Sequence, residues 1–431
     1  MNPGFREVLS KVQEVLGKYP NRDYTVLRDV EGRVRVIVED TQGAIPEGDI
    51  HKLEQDLRGA LGGWLGQSTP VWGLRKKREK LTPSEKLIVE ELDRTRVSLG
   101  NNVHLVERHV AKAAWTGQTP YSPPWSLEDV RNDQAPPILT FFSHKGGVGR
   151  STALIATGLL LAREGEDVVL VDLDLEAPGL SVIFGEDLVP DLGVLDLLAI
   201  PEAGNTPIDE EPVKRATFTV TDNALVGDGR LRVLTAGKID DAYMEMLARL
   251  DVHAGARRND LLVRMKALFQ TIQAAWQPKW ILVDARAGFH DLGGLMLASL
   301  SHAAVMVLTA NPQSDHGLRR VVRLLKAPHT SAGGPPIPLV LAHGLAPAPG
   351  SGGQAERDRV RERAYDILLQ EYYSSETAPS LGAEGQPHDP LPLPWVPALR
   401  GQGGTLDVEV AELLREKPYQ DLLARVRDTI R

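Results

Sequence analysis

A chain of 431 residues, 42% apolar and 25% charged, is long enough for two or three packed domains and excludes global disorder. With no cysteine, disulfides, thiolate metal sites, iron–sulfur clusters and cysteine nucleophiles are excluded together. The net charge of −9 disfavours bulk attraction to nucleic acid, and no stretch approaches the ~20 apolar residues of a membrane-spanning helix. The opening MNPGFREVLS carries charge where a signal peptide needs its apolar region, so a cytoplasmic protein outside the membrane is expected.

Residues 1–116 have the texture of a separate α+β unit. Phe5, Val8, Leu9, Val12, Val15 and Leu16 recur at helical spacing. Strands are expected over 24–27 and 34–38, joined by a turn over 29–32. After Pro46, the spacing of Ile50, Leu53, Leu57 and Leu61 marks a second helix, which Gly62-Gly63 ends. A third helix is expected over 84–99, with Thr82 as cap and Glu85 three residues on. The basic run Arg75-Lys76-Lys77-Arg78 reads as a solvated linker or a nucleic-acid contact; Glu79 and the lack of interleaved aromatics favour the linker. Prolines and polar residues over 117–137 then mark a domain linker.

From Ile138 onward the texture changes. Strand-like runs at 138–142, 168–171, 280–283, 303–308 and 339–342 are mostly separated by helical patterns, the first an apolar helix over 153–162. This alternation implies a mostly parallel sheet covered on both faces. Residues 200–215, rich in proline and acids, and 346–354, rich in proline and glycine, read as loops.

The most informative segment is Ile138-Leu-Thr-Phe-Phe-Ser-His-Lys145-Gly146-Gly147-Val148-Gly149-Arg150-Ser151-Thr152. A strand runs into a glycine-rich turn, and the turn opens a helix. Such a turn points backbone N–H groups at a phosphate, and the helix N-terminus adds partial positive charge. The general pattern G-x-x-x-x-G-K-[ST] is not met, because His144 replaces its first glycine and Arg150 its lysine. The segment resembles the deviant Walker A motif of the ParA/MinD family, K-G-G-x-G-K-[ST]-[ST], at Lys145, Gly146, Gly147, Gly149, Ser151 and Thr152. Three further stretches extend the resemblance over most of 137–431. Val168-Val-Leu-Val-Asp172-Leu-Asp174 is similar to the family's strand ending in D-x-D. Trp280-Ile-Leu-Val-Asp284 is similar to its Walker B strand, and Leu231-Arg-Val-Leu-Thr-Ala-Gly237 to its short strand ending in a small residue and glycine. Pro394-Trp395-Val396-Pro397 resembles, more weakly, the late strand and proline that wall the adenine.

The resemblance implies an α/β, Rossmann-like P-loop NTPase fold over 138–431; the smaller N-terminal α+β domain, 1–116, lies outside it and is expected to bind a protein partner. It implies ATP held by Lys145, Gly146, Gly147, Val148, Gly149, Arg150, Ser151 and Thr152. Mg²⁺ would be held by Ser151, Asp172 and Asp284, and Asp174 would orient the attacking water. Lys145 would reach across a sandwich homodimer formed with ATP, and hydrolysis would release it. Arg150 is the main departure from the family pattern. A guanidinium can bind phosphate in a bidentate way, yet it is longer and planar, so slow hydrolysis is expected. A non-hydrolysing nucleotide sensor is the alternative.

The stretch Asp284-Ala-Arg286-Ala-Gly288-Phe-His290-Asp291 is expected to be the switch that senses the γ-phosphate. Arg286 there contacts phosphate or a partner subunit, or else pairs a surface acid such as Asp291. His290 and Asp291 read as a turn, since no second histidine has ligand spacing. Arg319, Arg320, Arg323 and Lys326 share one helix segment, which suits a weak, salt-sensitive DNA contact or a solvated face. Residues 419–430 read as a packing helix with Leu422, Leu423, Val426 and Ile430 on one side, and no membrane binding is expected.

Overall fold

A computed structural model describes residues 3–20, 22–39, 46–67, 69–74, 96–109, 111–117, 119–199, 208–256, 258–330, 336–347, 353–374, 376, 378–395, 406, 411–412 and 414–430. The chain forms two compact units, Met1–Val110 and Ala111–Arg431.

The first unit is built on a 5-stranded mixed sheet in the order β3-β2-β1-β5-β4. Its strands are β1 (Asp23–Arg28), β2 (Val34–Glu39), β3 (Val71–Leu74), β4 (Val97–Gly100) and β5 (Val103–Glu107). Alternation in β2 puts Val34, Val36 and Val38 into one core with Val8 and Val12 of helix α1 (Val8–Leu16) and Leu57 and Leu61 of helix α2 (Glu47–Leu61). Asp29 closes the β1–β2 turn by accepting N–H bonds from Glu31 and Arg33. The helix expected over 84–99 is corrected at its end, where β4 pairs antiparallel with β5. Asn101 and Asn102, at φ 49° and 60°, make the tight turn between them, a hairpin signal in the sequence. Residues 84–95 and the basic run 75–78 lie outside the described residues.

The second unit carries an 8-stranded sheet in the order β13-β12-β11-β6-β10-β7-β9-β8. Its strands are β6 (Ile138–Phe142), β7 (Asp167–Leu173), β8 (Thr217–Val220), β9 (Arg230–Leu234), β10 (Trp280–Ala285), β11 (Ala303–Leu308), β12 (Leu339–Ala346) and β13 (Leu391–Pro394). All neighbours are parallel except β8, which runs antiparallel to β9. The central strands read as near-continuous apolar runs because helices cover both faces. Helices α3 (Arg150–Arg163) and α7 (Lys417–Ile430) pack on one face. Helices α4 (Arg258–Trp276), α5 (Pro312–Thr330) and α6 (Gln354–Glu371) pack on the other. The apolar side of α7, with Leu422, Leu423, Val426 and Ile430, is buried in the core. No helix among the described residues is long and apolar enough to cross a membrane.

Two expectations change. Residues 117–137 are not a free linker but part of the second unit. Tyr121 and Trp125 pack on its core, and Ser122 N–H bonds Ser299 O at 3.0 Å. Ser126 caps a short helix, Leu127–Arg131, in a reciprocal box with Asp129. The aromatic rings outweigh the prolines, because each buries too much apolar surface to remain in water. Within 200–215, Glu210–Arg215 is helical. Acids in its first turn and Lys214 and Arg215 in its last complement the helix dipole; residues 200–207 are outside the description.

His302 ties this segment to the sheet. Its Nδ1 accepts from Ile138 N–H at 3.0 Å, which leaves the proton on Nε2 to donate to Trp125 O at 3.0 Å. Burial pushes its pKa down to about 4 from an ordinary 6.5. The folded protein therefore holds the ring neutral while the unfolded chain takes up a proton below pH 6.5. Stability should fall as pH drops from about 6.5 to about 4, by about 3 kcal/mol from this group. Urea unfolding across that range should show a correspondingly shallower loss in His302→Gln; identical slopes for both proteins would contradict the assignment.

Candidate functional site

The site lies at the carboxyl ends of the parallel strands, where β6 sits between β10 and β11 and the connections depart to opposite sides. The chain leaves β6 and turns through Gly147 at φ 71° and Gly149 at φ 93°. Both are left-handed conformations that a side chain would strain, which explains glycine at these positions. Gly149 stands at the N-cap position of α3, and no side chain caps that helix among the described residues. The N–H groups of its first turn are thus left for an anion. Lys145 is exposed at the mouth of the loop.

Two cavities meet at the loop, sharing Gly147, Gly149 and Thr152. One, about 310 Å³, is bounded by Ser143, Arg150, Ser151, Asp174 and Ala287. The other, about 660 Å³, is bounded by Val148, Leu345, Pro394, Trp395 and Tyr419. The first suits phosphates and the second a base and sugar. Pro394 and Trp395 line the second cavity, while Val396 and Pro397 are outside the described residues. Tyr419, from the C-terminal helix, was not foreseen.

Under the loop lies a buried charge cluster. Asp172 and Asp284 are directly opposite each other on β7 and β10. Arg150, 8% exposed, turns inward: Nε donates to Asp284 Oδ1 at 2.5 Å and Nη2 to Asp174 Oδ2 at 2.8 Å. Ser151 Oγ donates to the other oxygen of Asp284 at 2.5 Å. Asp172 accepts the N–H groups of Asp174 and Leu180, at 3.0 and 3.1 Å. Burial, then the charge on Asp284, holds the Asp172 carboxyl well above the usual carboxylate range. Burial also raises Asp284, but Arg150 and the Ser151 hydroxyl oppose it.

The structure therefore brings Ser151, Asp174, Asp284 and Arg150 together and sets Asp172 behind them as a support for the 174–180 turn. Arg150, expected on phosphate, is found on the acids. Arg286 pairs with Glu176 rather than with Asp291, and His290 Nε2 lies 3.0 Å from the same Glu176 oxygen. Asp291 instead accepts from the backbone N–H and, at 3.0 Å, the Nζ of Lys112. Trp115 Nε1 donates to His290 O at 2.7 Å, and its ring meets Phe289 at 4.9 Å. A Cβ on Gly294 would lie 2.6 Å from Trp115 Nε1, so only glycine admits the indole. Lys112, Trp115 and Glu176 went unrecognised in the sequence; the apolar triplet Ala113-Ala114-Trp115 was the available signal. On α5, Arg319 and Arg323 are engaged by Glu371, whose carboxyl Arg323 and then Arg319 pull down to about 2 against burial. Lys326 Nζ reaches Tyr373 O at 3.4 Å.

The donor set suits a hard cation held jointly with phosphate oxygens. Asp174 Oδ1 is buried without a hydrogen-bond partner among the described residues. The cluster holds three carboxyl groups and a single guanidinium, an acidic excess that suits a divalent cation. Among the described residues no group of three His, Cys, Asp or Glu side chains could hold a metal by itself; Mg²⁺ would need water and phosphate oxygens beside Ser151 and one or two acids.

Residues 139–327 match the family model of the CobQ/CobB/MinD/ParA nucleotide binding domain. Over 193 residues the chain is 28% identical to a protein named as septum site-determining MinD of Oltmannsiellopsis viridis, covering 44% of this chain and 51% of that one. The corresponding protein of Tupiella akineta is 26% identical over 190 residues, covering 44% and 52%. The match thus spans about half the length of these curated relatives. Among solved structures, the septum site-determining protein MinD complexed with Mg-ADP from Pyrococcus horikoshii is 17% identical, with TM-score 0.41, covering 68% of this chain and 95% of that one.

Removing the guanidinium leaves two acids buried without their cation. Arg150→Ala should destabilise the protein by about 3–5 kcal/mol, read from urea unfolding at neutral pH. A loss under about 1 kcal/mol would show that the acids do not depend on it.

Proposed function

We propose that this chain is a slow, Mg-ATP-dependent switch that dimerises with ATP and positions, assembles or regulates a protein partner, because residues 139–327 match the CobQ/CobB/MinD/ParA nucleotide-binding domain. One observation carries the reading: the uncapped N-terminus of α3 and Asp174, the residue after β7, border one cavity at a glycine turn. Backbone N–H groups of 146–151 hold the phosphates, and Trp395 and Tyr419 border the base. Mg²⁺, when bound, neutralises phosphate charge beside Ser151 and Asp284. Arg150 moves from the acids onto phosphate oxygens, which it can grip in a bidentate way. Asp174, released from Arg150, orients the attacking water. Breaking the Arg150–Asp174 pair is an added cost that the usual lysine would lessen, and each ~1.4 kcal/mol of barrier is tenfold in rate. Lys145, exposed at the mouth, reaches the nucleotide of a second subunit. The Met1–Val110 unit acts as the partner-binding module. Since Arg319 and Arg323 are already engaged by Glu371, a DNA contact on α5 is at most weak and salt-sensitive.

A second reading is favoured by one contact. If Arg150 keeps its 2.8 Å bond to Asp174 with nucleotide present, the water has no orienting carboxylate, and the chain is a sensor that binds without hydrolysing.

Phosphate-release assays separate the two readings. The chain should turn over slowly and Arg150→Lys about tenfold faster; no turnover by either protein would leave the sensor. By light scattering, the protein should dimerise with ATP and not with ADP, and Lys145→Ala should stay monomeric. Equal dimerisation with both nucleotides would contradict the switch.

A further inference from the structure

Ser143 follows the last residue of β6 and is 1% exposed. Its Oγ has no hydrogen-bond partner among the described residues. Leaving a hydroxyl buried and unpartnered costs about 1–3 kcal/mol, so such groups call for a missing water or ligand. Ser301, near the start of β11, shows the ordinary alternative: its hydroxyl is satisfied by Thr140 Oγ1 at 2.5 Å and Met296 O at 2.8 Å. Ser143 has no such arrangement and instead lines the 310 Å³ cavity with Asp174 and Ala287. Its backbone carbonyl accepts the Gly288 N–H at 3.1 Å, so the same residue holds the stretch that follows Asp284.

We propose that Ser143 Oγ donates a hydrogen bond to the terminal phosphate of a bound nucleoside triphosphate, and so distinguishes triphosphate from diphosphate. The inference rests on the nucleotide-binding reading above. A diphosphate engages the α3 N-terminus through residues 149–152. The space beyond it, bounded by Ser143, Asp174 and Ala287, is where a third phosphate fits. A charged acceptor there satisfies the orphaned hydroxyl more strongly than a neutral one would. The carbonyl of Ser143 then carries the occupancy of that space to Gly288, and through it to Phe289, His290 and Asp291.

Calorimetric titration of the full chain with Mg-ADP and with Mg-adenylyl imidodiphosphate, on wild type and Ser143→Ala, tests this. The variant should bind the triphosphate analogue about tenfold more weakly and ADP within about twofold of wild type. Its melting temperature should be unchanged or higher, since no intramolecular hydrogen bond is lost. Equal losses for both nucleotides, or unchanged affinity for the analogue, would overturn the role of Ser143 while leaving nucleotide binding intact. A markedly lower melting temperature would also overturn it, because the hydroxyl would then have a structural partner. Failure of the wild type to bind either nucleotide would remove the underlying reading itself.

Discussion

Everything at the site follows from placing acids at the ends of buried parallel strands. Asp172 and Asp284 are fully buried on adjacent strands, and Asp174 is nearly so. Like charges packed this closely in a low dielectric cannot all remain ionised without compensation. The fold answers in two ways. It gives Asp172 backbone N–H partners and a raised pKa, and it sets the Arg150 guanidinium against the other two. The first residue of α3 is therefore both part of the phosphate loop and the counter-ion of the acids. A nucleotide that drew Arg150 toward its phosphates would uncover the acids, and phosphate and metal binding would then be coupled through one side chain.

The same logic extends to the stretch that follows Asp284. Its conformation is held from three directions: by Gly288 on Ser143, by Arg286 and His290 on Glu176, and by His290 and Asp291 on Trp115 and Lys112. Glu176 lies two residues beyond Asp174, so a shift of the D-x-D turn is felt directly by Arg286. Lys112 and Trp115 lie at the start of the second unit, next in sequence to the N-terminal one.

Much of this was legible in the sequence because local signals and tertiary context agreed. The central strands are continuous apolar runs, and the glycine turn has a strict φ requirement. The acids stand at the ends of the runs where such folds bind ligands. Other features were hidden for physical reasons. Residues 117–137 look like a linker by proline content, but their aromatics decide the matter through burial. The strand at 97–100 was overridden by a capping pattern upstream, although Asn101-Asn102 announced a hairpin. The inward turn of Arg150 is a contest between phosphate and carboxylate for one cation, which a motif does not resolve. Lys112, Trp115 and Glu176 reach the site from segments that carry no motif, and only packing brings them to it.

The most direct test is a crystal structure of the full chain with Mg²⁺ and adenylyl imidodiphosphate. The account predicts phosphates in the glycine cradle, Arg150 turned off Asp174 onto a phosphate oxygen, and the metal beside Ser151 and Asp284. A crystal grown in saturating nucleotide that shows Arg150 still clasping both acids and no phosphate in the cradle would contradict it.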